Sequence, residues 1–150
     1  MTTSSPYGAP AGRSTGTAEF RLMPTDGFAG GESTLEVAPT ALGRALRLDY
    51  TWAHPEDGEQ AGSLLLGVPG ADGVVTAEWV DSWHQKEPTL LSGTGSASSA
   101  SVGYEYAPGW RWEVEVRVSG PSVELAMRNV VPESDDTPAV TYDVMRASWS

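Results

Sequence analysis

The segment Trp-Val-Asp-Ser-Trp-His, which runs from Trp79 to His84, is the densest group of chemically capable side chains in the sequence. If the two-residue alternation of a strand continues as far as Trp83, the carboxyl group of Asp81 lies between two indole rings on the apolar face. A carboxylate in that position loses water and needs hydrogen-bond donors, which is typical of residues that orient a ligand or exchange protons. His84 follows at the strand end, near the rim of the sheet, where its imidazole can donate or accept a hydrogen bond.

Two other interpretations of the same segment remain open. Asp81 and Ser82 are also suited to capping a turn, which would leave His84 as a solvated loop residue. Alternatively, Asp81 and His84 act as acid and base on a bound small molecule, which would make the protein an enzyme. Serine nucleophiles have no support because the sequence has no Gly-x-Ser-x-Gly motif. We therefore assign no catalytic residue.

Two further polar residues follow strand-like patterns near the C-terminus. Asn129 shares a face with alternating apolar residues from Val123, and an inward-facing amide needs hydrogen-bond partners. In the last predicted strand, either Tyr142 and Val144 face inward together with Arg146, or the odd-numbered residues face inward and Arg146 faces outward. We favour the odd-numbered set, Met145, Ala147 and Trp149, because it buries more apolar area and leaves Arg146 at the surface.

The acidic turn from His54 to Glu59 suggests a metal site at first sight. However, it lacks the spaced oxygen ligands of a calcium loop, and a chain with two histidines and no cysteine makes a poor zinc site. We predict a solvated turn and no metal.

Alternating strands must position these residues. From Trp110 to Val118 five apolar side chains alternate with four charged ones, and the pattern resumes from Val123 to Val131 after a turn. Counting from Ala18, the sequence predicts ten short strands, including a short sixth strand around Thr89 to Ser92. The connections are nearly all of hairpin length, which favours an antiparallel up-and-down barrel over a sandwich. The predicted fold class is therefore an all-β barrel of about ten strands.

Composition restricts the partners and the surroundings of this barrel. The net charge is −11, with 20 acidic and 9 basic residues, so nucleic acid and anionic membranes are poor partners. There is no cysteine, which fits a reducing cytoplasm. Residues 1–17 are rich in Thr, Ser, Gly, Pro and Ala and are predicted to form a disordered leader, and residues 18–150 a single barrel domain.

Three segments resemble a known group of barrels: Leu48 to Trp52, Gln60 to Gly67 and Ala77 to His84. They are similar to lipocalin-like (calycin) barrels, and more narrowly to a family of small bacterial barrel proteins distantly similar to the haem-binding nitrobindins. The resemblance implies a barrel with an internal ligand site. Nitrobindins hold haem through a histidine near the C-terminus, and this chain has no histidine after His84. We therefore predict no cofactor.

The predicted function is the non-enzymatic binding of a small apolar or amphipathic molecule inside the barrel. Barrels of eight or more strands have room for a small ligand, and pockets of this kind are mostly apolar with a few polar groups. A filled barrel with a structural or interaction role is the remaining alternative. The predicted ligand-binding residues are Tyr50, Trp52, Trp79, Asp81, Trp83, His84, Tyr104, Trp110, Trp112 and Asn129.

Overall fold

The computed structural model describes residues 5–150, which form ten antiparallel strands and two short 3-10 helices. The helices span Pro6–Gly8 and Ala41–Gly43. The strands are β1 Gly12–Phe20, β2 Ala29–Thr40, β3 Ala45–His54, β4 Gly58–Gly67, β5 Val74–Asp81, β6 Gln85–Gly95, β7 Ser99–Ala107, β8 Trp110–Ser119, β9 Ser122–Val131 and β10 Val140–Trp149.

The ten strands form a closed up-and-down barrel. Each strand pairs with the next along the chain, and β1 pairs with β10 to close the sheet, with Gly16 opposite Trp149. The predicted all-β barrel of about ten strands is confirmed, and its architecture is consistent with a calycin-like fold. Closure pairs the strands that would otherwise be exposed edges of a sandwich.

The connection between β6 and β7 is shorter than the sequence suggests. β6 extends to Gly95 and β7 begins at Ser99, so most of the Gly-Ser stretch is strand rather than loop. A Cβ atom on Gly93 would lie 1.9 Å from the carbonyl oxygen of Ser101, so only glycine permits the close approach of these two strands. This stretch contains only Gly, Ser, Thr and Ala, and the lack of large apolar side chains hides the alternation on which the prediction depends.

The N-terminal region differs from the predicted leader over residues 5–17. β1 begins at Gly12 rather than at Ala18, and Gly12 lies opposite Val37 of β2. Before the strand, Tyr7 is buried and its hydroxyl donates a hydrogen bond to the carbonyl oxygen of Gly67 over 2.6 Å. Backbone pairing stabilises this region, which lacks a hydrophobic pattern. Residues 1–4 of the predicted leader lie outside the described residues.

Aliphatic side chains fill one end of the barrel interior. We call it the closed end; it carries the β2–β3, β4–β5, β6–β7 and β8–β9 turns, and Tyr7 covers it. Each fully buried side chain of this kind contributes about 1.5–3 kcal/mol. The opposite end, called the open end, carries the other turns. The fully buried residues of the aliphatic core include Leu35, Leu46, Leu48, Leu64, Leu66, Val75, Leu91, Val114, Met127 and Met145.

A β-bulge in β10 resolves the ambiguity of the last strand. The register shifts between Asp143 and Met145, so that Val144 and Met145 are both buried on the inside. Ala147 and Trp149 then follow on the same inner face, as predicted. Arg146 is on the outer surface, where its Nε donates to Asp143 over 2.8 Å.

Candidate functional site

A cavity of about 730 Å³ occupies the open end of the barrel. Its described lining has no Asp, Glu, Lys or Arg, and eight of its seventeen residues, His84 included, carry aromatic rings. The lining consists of Leu22, Met23, Pro24, Trp79, Trp83, His84, Gln85, Tyr104, Tyr106, Trp110, Trp112, Asn129, Val131, Thr137, Val140, Tyr142 and Val144. We refer to it as the open-end cavity.

Asp81, at the open-end terminus of β5, does not line this cavity and is only 1% exposed. Its Oδ2 accepts hydrogen bonds from the Tyr50 hydroxyl at 2.6 Å and from Trp52 Nε1 at 3.1 Å. Its Oδ1 accepts from the backbone N–H groups of Trp83 and His84, both at 2.9 Å. The carboxylate therefore joins β3 to the β5–β6 turn and fixes the two aromatic residues that follow it.

The Tyr50 hydroxyl connects Asp81 to the cavity wall. Trp79 Nε1 donates to it over 2.9 Å, so that an indole, a phenol and a carboxylate form one buried chain of hydrogen bonds. Burial, and then the nearby carboxylate, raise the pKa of Tyr50 well above its ordinary value, which keeps the hydroxyl protonated and donating. A Cβ on Gly62 would lie 2.1 Å from this hydroxyl oxygen, so the network depends on glycine there.

His84 is enclosed by aromatic rings. Its imidazole stacks on Trp52 with the ring centroids 4.9 Å apart and the planes at 17°, and it lies 5.1 Å from the rings of both Trp83 and Trp112. Burial lowers the pKa of His84 to about 4, although the Asp81 carboxylate acts in the opposite direction, so the ring is neutral near pH 7. Asp81 thus caps the β5–β6 turn, as the turn-capping interpretation expects, whereas His84 within that turn is partly buried among rings rather than solvated.

Two ring nitrogens in the wall are buried without a hydrogen-bond partner among residues 5–150. They are His84 Nε2 and Trp112 Nε1. The Trp112 indole lies parallel to Trp79, with the planes at 8° and the centroids 5.8 Å apart. Neither nitrogen is exposed, so the inner part of the cavity presents the apolar surfaces of these rings.

The His54 turn supports the cavity from outside. His54 Nδ1 accepts the backbone N–H groups of Glu56 and Asp57 at 3.1 and 3.0 Å, and the ring stacks on Trp83 at 4.8 Å. Trp83 Nε1 in turn donates to Asp57 Oδ2 over 2.9 Å. This histidine therefore holds Trp83 in place, a role that sequence reasoning missed. Within the described chain, no group of three or more potential metal ligands lies together.

Polar side chains form the rim of the cavity. Tyr106 donates to Asn129 Oδ1 over 2.6 Å, and Asn129 Nδ2 contacts the Tyr142 hydroxyl at 3.3 Å. Tyr142 then donates to the carbonyl oxygen of Leu22 over 3.1 Å. The inward amide predicted at Asn129 thus finds its partners in two tyrosines. The sequence analysis weighed Tyr142 as an inward residue but favoured the opposite face of the last strand. The β10 bulge places Tyr142 on the inside together with Ala147 and Trp149.

The structure brings together most, but not all, of the predicted ligand-binding residues. Tyr50, Trp52 and Asp81 are buried outside the cavity, in contact with the lining residues His84 and Trp79. The others line the cavity: Trp79, Trp83, His84, Tyr104, Trp110, Trp112 and Asn129. The sequence analysis missed other lining residues, including Gln85, Tyr106, Tyr142 and residues 22–24 of the β1–β2 loop.

Comparison with protein-family models and with curated proteins finds no match to this chain. Among residues 5–150, no helix is long and apolar enough to span a membrane. Functional inference therefore depends on the geometry of the open-end cavity.

Proposed function

We propose that the protein binds a small, predominantly apolar molecule in the open-end cavity and does not transform it. The observation that carries this proposal is a cavity of about 730 Å³ at the open end of a barrel whose closed end is filled by buried aliphatic side chains. Small-molecule sites typically have volumes of about 300–1,000 Å³, with apolar walls and a few polar groups. The open-end cavity has that size and that composition.

The packing around the cavity favours a binding role over a filled structural barrel. Side chains that border an empty apolar space forfeit contacts that a filled core would supply, which destabilises the fold. A bound molecule would restore those contacts. The proposed ligand contacts are Trp79, Trp83, His84, Tyr104, Trp110, Trp112 and Asn129, with Tyr50, Trp52 and Asp81 as their support.

Acid/base catalysis by Asp81 and His84 receives less support from the same geometry. The Asp81 carboxylate is buried and accepts four hydrogen bonds, and the bond from His84 comes from its backbone rather than from its ring. We also propose a relationship to the small bacterial barrels distantly similar to nitrobindins, a cytoplasmic location and a single barrel domain, whose predicted start at residue 18 moves to Gly12 because β1 begins there. The strand order supports the relationship and the single domain, and the absence of cysteine is compatible with the location.

Binding of the uncharged fluorophore N-phenyl-1-naphthylamine tests the proposal. We expect one probe per chain, with fluorescence enhancement and energy transfer from the tryptophans of the wall. The variant Val131→Trp places an indole in the cavity and should weaken binding at least ten-fold. The matched control Val74→Trp adds the same group to an exposed position at the closed end and should bind as the parent protein does.

Circular dichroism and the urea midpoint establish that both variants fold. Failure of the parent protein to bind the probe, or equal binding by Val131→Trp, would overturn the proposal. Native mass spectrometry of protein isolated from its own cells adds the identity of any retained molecule, as a mass that disappears on denaturation.

A further inference from the structure

We propose that the ligand of the open-end cavity is an uncharged, flat aromatic molecule that carries its polar group toward the rim. This inference rests on the proposed function and specifies the chemical class of the ligand. It follows from three properties of the wall: its lack of charge, its parallel rings and the position of the polar groups that can exchange their hydrogen bonds.

The first property is the absence of compensating charge. No charged side chain belongs to the described lining, and transferring an ion from water to such a site costs several kcal/mol unless a counter-charge is present. The buried acid Asp81 is not part of the lining and already accepts four hydrogen bonds from protein groups. Arg21, near the mouth, donates to the carbonyl oxygens of Asp143 and Pro24 and lies over the Phe28 ring.

The second property is the flatness of the inner wall. Trp79 and Trp112 lie parallel within 8°, and His84 lies within 17° of the plane of Trp52. Aromatic pairs in offset or edge-on arrangements contribute about 0.5–1.5 kcal/mol beyond the burial of their area. A planar ring can extend such a stack, whereas a puckered saturated ring cannot.

The third property is the location of the adaptable polar groups. The inner nitrogens of His84 and Trp112 are covered, whereas the rim has the tyrosine hydroxyls and the amide of Asn129. A hydroxyl rotates and both donates and accepts, so Tyr106 and Tyr142 can each exchange a contact with Asn129 for one with a ligand. The polar group of the ligand therefore belongs at the rim.

An organic cation is the strongest competing class. Aromatic cages attract cations, and the net charge of −11 would favour their approach. No carboxylate belongs to the described lining, however, so a cation buried there would lose its water without gaining a counter-ion.

Calorimetric titration with four probes of one bicyclic carbon skeleton tests the class. The probes are 2-naphthol, naphthalene-2-sulfonate, 2-naphthyltrimethylammonium and decahydro-2-naphthol, each measured at pH 7 with the parent protein and with Val131→Trp. We expect 2-naphthol to bind at least ten-fold more tightly than each of the others, and Val131→Trp to weaken that binding at least ten-fold.

The outcomes separate this inference from the proposed function. Tightest binding by either ion or by the saturated alcohol, with loss in Val131→Trp, would overturn the ligand class and leave the binding function standing. Binding by none of the four, or binding that Val131→Trp leaves unchanged, would overturn both.

The orientation has its own test in the variant Asn129→Leu. It removes a rim amide and should weaken 2-naphthol about three- to ten-fold while leaving naphthalene unchanged, because naphthalene has no polar group to lose a partner. Glu124→Leu, an exposed polar position on the same strand, is the matched control and should change neither affinity. Equal weakening of both probes by Asn129→Leu would overturn the orientation.

Discussion

The buried carboxylate of Asp81 leads to a quantitative prediction for the variant Asp81→Ala. The substitution leaves four donors without their acceptor: the Tyr50 hydroxyl, Trp52 Nε1 and the backbone N–H groups of Trp83 and His84. Water can reach the two backbone groups in the turn, but Tyr50 and Trp52 are each 1% exposed. An unsatisfied buried donor costs about 1–3 kcal/mol, so we expect the free energy of unfolding to fall by about 4 kcal/mol.

Urea denaturation followed by tryptophan fluorescence measures this loss. Asp49→Ala is the matched control because its carboxylate is on the outer face of β3, is 41% exposed and pairs with Arg47 and Ser63. Exposed pairs of this kind contribute about 0–1 kcal/mol, so the control should unfold close to the parent midpoint. Asp81→Asn keeps one acceptor oxygen and should give an intermediate loss.

A small effect would refute this reasoning. If Asp81→Ala loses less than about 1 kcal/mol with an unchanged dependence on urea, the four hydrogen bonds contribute little beyond what water supplies. If Asp81→Ala does not fold, Asp81→Asn supplies the measurement, and its loss must then exceed that of Asp49→Ala.

Three further substitutions test other parts of the architecture. The pKa of His84 is 6.5 in the unfolded chain and about 4 in the barrel, so the stabilisation that comes from its neutral ring is fully present above pH 6.5. Below pH 6.5 the free energy of unfolding should fall toward pH 4 by up to about 1.4 kcal/mol per pH unit. Urea midpoints across this range should show that slope, and His84→Gln should reduce it. Gly62→Ala places a Cβ 2.1 Å from a buried hydroxyl and should cost about 2 kcal/mol in urea unfolding, whereas Gly31→Ala, whose Cβ meets only a methyl at 3.6 Å, should be nearly neutral. Tyr7→Phe leaves the carbonyl oxygen of Gly67 without its donor and should lower the free energy of unfolding by about 1 kcal/mol; an unchanged urea midpoint would contradict a stabilising role for the N-terminal turn.

Much of the fold could be predicted because alternation is a local property of the chain. The pattern from Trp110 to Val118 required one apolar face, and hairpin-length turns between such strands required neighbours to pair in order. Where alternation was absent, prediction failed: β1 begins six residues earlier than expected, and β6 is longer. Small residues there pair through the backbone, which carries no hydrophobic signal.

The candidate site was predicted in composition but not in arrangement. Alternation placed Asp81 inside the barrel, and the structure confirms its burial. It gave no indication that Tyr50, 31 residues away, would donate to that carboxylate, or that Tyr142 would join Asn129 at the rim. Such contacts depend on the strand register around the barrel and on the bulge in β10. The bulge reverses which of the preceding residues of β10 point into the barrel.

The sequence by itself thus determined that ten amphipathic strands enclose an aromatic interior under an acidic surface. Only the tertiary structure decided that aliphatic side chains fill one end and that aromatic rings leave a cavity at the other. Whether an interior is filled depends on how side chains from distant strands meet in space, and residues such as Ser33 and Trp149, separated by 116 positions, become neighbours only when the barrel closes.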